Sequence, residues 1–137
     1  MEGLEIEARN ENLGDVLGFV DEQLALYGCP VKTQMKIDLA VEEIFVNISN
    51  YAYHPDVGSA KINIEVSGSP MTIVLTFVDQ GIPYDPLAKA DPNVNLPVEE
   101  REIGGLGFFL VKKSMDEVQY EYKEGQNILR IRKGFDA

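Results

Sequence analysis

Two neighbouring segments, KINIEVS at residues 61–67 and MTIVLTFVD at residues 71–79, read as β-strands parted only by Gly68, Ser69 and Pro70. Successive side chains of a strand point to opposite faces, so every second residue shares a face. In the first segment Ile62, Ile64 and Val66 fall together, opposite Lys61, Asn63, Glu65 and Ser67. The short turn-like break makes the two an antiparallel pair, and the pattern gives their sheet one dry and one wet side. A dry sheet face must be covered by another apolar layer. That requirement constrains the rest of the chain.

The cover is predicted from two helices. Residues 12 to 27 carry Leu13, Val16, Leu17, Val20 and Leu24 at helical spacing, with Gly28 as a stop. A second helix is expected to start near Thr33 as cap and to run to about Tyr53, before His54, Pro55 and Asp56 end it. A third, GGLGFFLVKKSM, opens on glycines, and EVQYEY and NILRIRK form a closing hairpin around KEGQ. LEIEAR, near the start, reads as a short strand. The predicted fold is α+β, a two-layer sandwich in which helices cover one face of a mixed, mostly antiparallel sheet. Residues 1–137 show no repeat, linker or low-complexity tract and are expected to form a single domain.

Composition excludes several classes. A formal net charge of −11 argues against a nucleic-acid-binding surface. No apolar stretch is long enough to span a bilayer, and MEGLEIEARN lacks the basic-then-apolar layout of a secretory signal. One cysteine, Cys29, makes no disulfide framework and is expected to be a small buried group. The cytoplasm is the expected home. No His/Cys cluster has metal-ligand spacing, and His54 stands alone beside a proline.

Three features could carry chemistry. Asp79 continues the face of Ile73, Leu75 and Phe77, so a carboxylate points where the core is being built. It either caps the amides of the next turn or accepts a hydrogen bond from a ligand amine, because a buried charge needs a donor. In DLAVEEIFVNISNYAY, Ile37, Ala40, Val41, Ile44 and Ile48 form one stripe, and Glu43 and Asn47 stack four apart at its border, roughly 90–130° from its centre. That placement fits a solvated helix edge as well as a site. Finally, Gly104, Gly105 and Gly107 precede an apolar helix. Glycines there either loosen a helix entry or let an anion meet bare amides. Before them lies PLAKADPNVNLPVEEREI, a proline-bearing loop long enough to be functional.

In this order, E-x-x-x-N on a helix, D-x-G-x-P ending a strand, a long loop and G-G-L-G opening a helix resemble the GHKL (Bergerat-fold) ATPase superfamily. VDQGIPYDP and IGGLGFFLVKKSMDEVQYEY look like the anti-sigma-factor serine kinases within it. The resemblance covers nearly the whole chain, including the hairpin with Asn127 and Arg130. It implies the histidine-kinase-like ATPase fold and a kinase that uses ATP and Mg2+. It implies that Glu43 is the catalytic acid acting as general base, and that Asn47 binds the magnesium that bridges the phosphates. Asp79 would accept the adenine amino group, beside a backbone turn at Gly81. Gly105 and Gly107 would meet the phosphates, and the proline-bearing loop, from about Leu87 to Ile103, would be the ATP lid.

The implied activity is phosphorylation of a serine on a STAS-domain anti-anti-sigma protein, with sequestration of a sigma factor and a homodimeric assembly. The alternative is an ATP-dependent partner-binding module without kinase activity. A histidine-kinase catalytic domain fits less well, since no dimerisation helix with a phosphoacceptor histidine is present. The chain departs from the common pattern at Pro83, where a second glycine often stands, and at Tyr51, in place of a histidine. The arginine that relatives carry just before the glycines is displaced to Arg101.

Overall fold

The computed structural model describes residues 2–68, 70–88 and 105–135. In chain order these form β1 (Glu2–Glu7), α1 (Leu13–Leu26), α2 (Val31–Asn47), β2 (Ser59–Ser67), β3 (Met71–Asp79), α3 (Gly105–Ser114), β4 (Glu117–Lys123) and β5 (Gln126–Phe135). The sheet has the order β1-β2-β3-β5-β4. Every ladder among the described residues is antiparallel, which corrects the mixed sheet expected from sequence. The reason is the closing hairpin. β3 and β4 run the same way, but β5 folds back and inserts between them, so no parallel pair forms.

The dry face is the predicted one. Ile62 and Ile64 of β2, Ile73, Leu75 and Phe77 of β3, and Leu129 and Ile131 of β5 are buried. They meet Val16, Val20 and Leu24 of α1 and the predicted α2 stripe of Ile37, Ala40, Val41, Ile44 and Ile48, all buried, with Phe45 added to it. α3 contributes Phe108 and Val111. On the wet face Arg132 pairs with Glu117 at 3.1 Å and Arg130 with Glu121 at 3.5 Å. These pairs are exposed and add little to stability. No helix among the described residues is long and apolar enough to cross a membrane.

α1 ends as expected, with Gly28 at φ 70, a left-handed conformation in which glycine carries no Cβ penalty. The bounds of α2 differ from expectation at both ends. It begins at Val31, because the Pro30 carbonyl already accepts the first helical bond from Gln34 N at 2.9 Å. Thr33 therefore lies inside the first turn and is not the cap. At the other end the α-helix stops at Asn47, and Ile48–Ala52 continue as a wider π-helical turn. Such turns reorient the backbone that follows, often beside functional sites.

One feature of the α1–α2 seam is not legible in the periodicity. Asp21 and Asp38 face each other there, and one oxygen of each is buried with no hydrogen-bond partner. Two ionised carboxylates can offer each other no donor, whereas a shared proton supplies one. Burial first, and then Asp21, push the Asp38 carboxyl up to about 7, against a hydrogen bond from Gln34 that lowers it. Cys29, half-buried where burial was expected, is a titratable neighbour, its thiol pushed up by burial and by Asp38.

A carboxyl raised in the fold binds its proton there more tightly than in the unfolded chain. Its stabilising contribution is therefore complete below about pH 4 and is lost as the pH rises through about 7. Asp38→Asn, which removes the second charge and offers a donor to Asp21, should raise the melting temperature at pH 8 by about 3–5 °C. That corresponds to roughly 1 kcal/mol after solvent screening. At pH 5 the gain should vanish. Thermal denaturation of parent and variant at both pH values measures it, and an equal shift at the two would exclude a charge effect.

Candidate functional site

The register of β3 sets Asp79 opposite Ala60 of β2 and Asn127 of β5. Its carboxylate continues the face of Phe77 and is only 6% exposed. Oδ1 accepts from the Gly81 amide at 2.9 Å and from Asn127 Nδ2 at 2.9 Å. The turn-capping alternative is thus realised, but on one oxygen. No described residue donates to Oδ2.

The loop after β3 lies against the π-helical end of α2. Ile82 N donates to Ala52 O at 3.0 Å, and a Cβ on Gly81 would overlap the Ala52 backbone carbonyl. Only glycine permits this approach. Tyr53 secures the same corner, its hydroxyl donating to Ser59 O at 2.6 Å and accepting from Gln80 N at 2.7 Å.

Asn127 is a site residue that sequence reasoning passed over, noting it only as part of the hairpin. It is 7% exposed and bonds both Asp79 and the loop. The signal was present in the sequence. Asn127, Leu129 and Ile131 alternate on β5 as Phe77 and Asp79 do on β3, so a polar residue ends that dry register as well.

The second part of the site lies at the C-terminal end of α2. Asn47 Nδ2 donates to Glu43 Oε1 at 3.3 Å, as the four-residue spacing requires. The pair is not a free helix edge, because α3 covers it. A Cβ on Gly107 would overlap the Glu43 carboxylate, so the glycine-led start of α3 sits directly on that side chain. Burial raises the Glu43 pKa; the Asn47 hydrogen bond counters it and the charge of exposed Glu42 adds to it. Glu43 is therefore a stronger base than an ordinary surface carboxylate.

The two parts are joined by one stretch of chain. Asn47 closes α2, and Ala52, the contact of Gly81, is five residues on, roughly 7 Å by helical rise. Gly105 opens α3, whereas Gly104 and the expected lid, apart from Leu87 and Ala88, lie outside the described residues. Among the described residues no group of three or more His, Cys, Asp or Glu side chains could hold a metal.

Comparison with known proteins identifies the family. The family model of the histidine kinase-like ATPase domain matches residues 6–133. The serine-protein kinase RsbW of Bacillus cereus (strain B4264) is 32% identical over 95 residues, which cover 66% of this chain and 58% of that protein. The RsbW proteins of Bacillus anthracis and Bacillus mycoides (strain KBAB4) are 30% identical over the same shares. The match thus spans less than two thirds of these relatives.

Two glycines of the site should respond differently to one added methyl group. Gly81→Ala meets backbone that cannot yield, and overpacking of this kind typically costs about 1–3 kcal/mol. Gly107→Ala meets only the movable end of Glu43. Its stability should stay level or rise by up to roughly 1 kcal/mol through helix propensity. Chemical denaturation of the two variants checks this, and the opposite order would contradict the packing at both positions.

Proposed function

The chain belongs to the histidine kinase-like ATPase domain family, and on that basis we propose that it is an ATP-dependent serine-protein kinase of the anti-sigma-factor type. It acts in the cytoplasm, as a homodimer, on a serine of a STAS-domain anti-anti-sigma protein, and its free form sequesters a sigma factor. The observation that carries the kinase reading is the half-buried Glu43 carboxylate, with Asn47 at 3.3 Å and the start of α3 packed on it. The serine-protein kinases to which the chain is similar support it.

The residues present fit a nucleotide. Asp79 has an oxygen to which no described residue donates, beside a turn too tight for a Cβ at Gly81. Adenine presents an amine of the kind a carboxylate accepts. Asn47 turns its NH2 toward Glu43, donating one N–H, which leaves its side-chain carbonyl oxygen, the kind of hard ligand that magnesium takes. The backbone of Gly105 and Gly107, at the positive end of α3, is suited to phosphate oxygens. When bound, ATP supplies the transferable phosphoryl group and magnesium offsets its charge. Glu43 would accept the proton of the partner's serine hydroxyl, the phosphoryl group passing to the serine oxygen and ADP being the leaving group. A raised pKa suits this role, and activity should rise as pH increases through it, because only the ionised carboxylate accepts.

Loss of a general base costs typically about 10²- to 10⁴-fold in rate, while ground-state binding changes little. Glu43→Gln should therefore bind ATP about as tightly as the parent yet fail to label a STAS-domain partner. Glu42→Gln, exposed on the other flank, should label it at nearly the parent rate. Transfer from terminally labelled ATP, followed over time for the parent and both variants, is the measurement. A parent that binds the partner in an ATP-dependent way without labelling it would replace the kinase with a binding module.

A further inference from the structure

Asp79 and Asn127 are the two buried polar or charged residues among those described. A primary amide carries two N–H donors and an oxygen with two lone pairs, and Asn127 uses all four. Nδ2 donates to Asp79 Oδ1 at 2.9 Å and to Ile82 O at 2.9 Å, with Gly81 O further off at 3.5 Å. Oδ1 accepts from Tyr84 N at 3.2 Å and from the Tyr120 hydroxyl. The amide has one orientation only. Turned over, it would set its oxygen against a carboxylate and a carbonyl, and its NH2 against the Tyr84 N–H, and only the Tyr120 hydroxyl could adapt.

We propose that Asn127 is a positioning residue that presents Asp79 Oδ2, and not Oδ1, to a bound base, and so sets a preference for purines bearing a 6-amino group. The inference rests on the reading of Asp79 as the base acceptor. Two donors, from Gly81 and Asn127, occupy both lone pairs of Asp79 Oδ1. The plane of the carboxylate is then held from one side, and the oxygen left for a ligand is a pure acceptor. An amine satisfies it, a ring hydrogen leaves it unmet, and a carbonyl oxygen opposes it. Without Asn127 the carboxylate keeps a single protein donor and is free to rotate, so the penalty for the wrong base falls. The same amide reaches β4 through Tyr120 and the loop after β3 through Ile82 and Tyr84. The edge hairpin thereby takes part in choosing the base.

The test compares ATP with purine riboside triphosphate, which has hydrogen in place of the 6-amino group, by calorimetry at saturating Mg2+. The parent should bind ATP about 10- to 150-fold more tightly, the range for a hydrogen bond to a charged group. In Asn127→Leu the ratio should fall to within about 3-fold, mainly because ATP binds more weakly. A purely structural role would weaken both nucleotides alike and leave the ratio unchanged. Should Asn127→Leu not fold, Tyr120→Phe decides: it deletes one hydroxyl on the edge strand and should lower the ratio at least about twofold. A parent that discriminates while the deciding variant keeps its ratio overturns the role of Asn127 alone. A parent that binds both nucleotides alike, or neither, overturns the reading of Asp79 and this inference with it.

Discussion

Burial of a single sheet face under α1 and α2 is the constraint on which the other features depend. Ile62, Phe77 and Leu129 sit side by side on neighbouring strands because the ladders pair Ile62 with Phe77 and Phe77 with Leu129. Burying a large apolar side chain is worth about 1.5–3 kcal/mol, and a slip of one residue in register would turn the whole set into water. The register is therefore strongly held. Everything carried along the same face, polar or not, is held with it.

Asp79 and Asn127 are carried in this way. Both continue apolar registers to the end of the sheet where the chain leaves β3, and there the dry face becomes a polar pair. Burying such groups unpaired would cost several kcal/mol. The pair avoids most of that cost because Asn127 is fully satisfied and Asp79 receives two donors on one oxygen. The hydrogen bonds of the Asn127 amide tie β3, β4 and the loop after β3 to β5. Oδ2 of Asp79 is left as the carboxylate oxygen to which no described residue donates, and Gly81 and Asn127 fix its direction through Oδ1.

The end of α2 brings a second set of groups alongside. The π-helical turn after Asn47 delivers the Ala52 carbonyl to the loop at Gly81 and Ile82. One helix end therefore carries both the Glu43–Asn47 pair and the contact that shapes the wall beside Asp79. The first needs a partly dry environment to raise a carboxyl's basicity, and α3 provides it by packing glycine backbone on the carboxylate. A side chain at Gly107 would hold α3 and Glu43 apart.

The amino-acid sequence by itself determined the elements, the dry sheet face, the α2 stripe and the inward aim of Asp79. These follow from periods of two and 3.6 residues, which are local properties of a chain. Asn127 was open to the same argument through its alternation with Leu129 and Ile131. Only the tertiary structure decided the rest, because it depends on segments far apart in the chain. No local pattern tells that β5 inserts between β3 and β4 and removes any parallel pairing. Periodicity places Glu43 at the border of a stripe, but whether that border meets water or another helix was decided by Gly107, more than sixty residues on. The facing carboxyls of Asp21 and Asp38 are of the same kind, since the angle between two helices sets which side chains share their seam. Contacts between elements depend on packing geometry that neither partner's sequence contains alone.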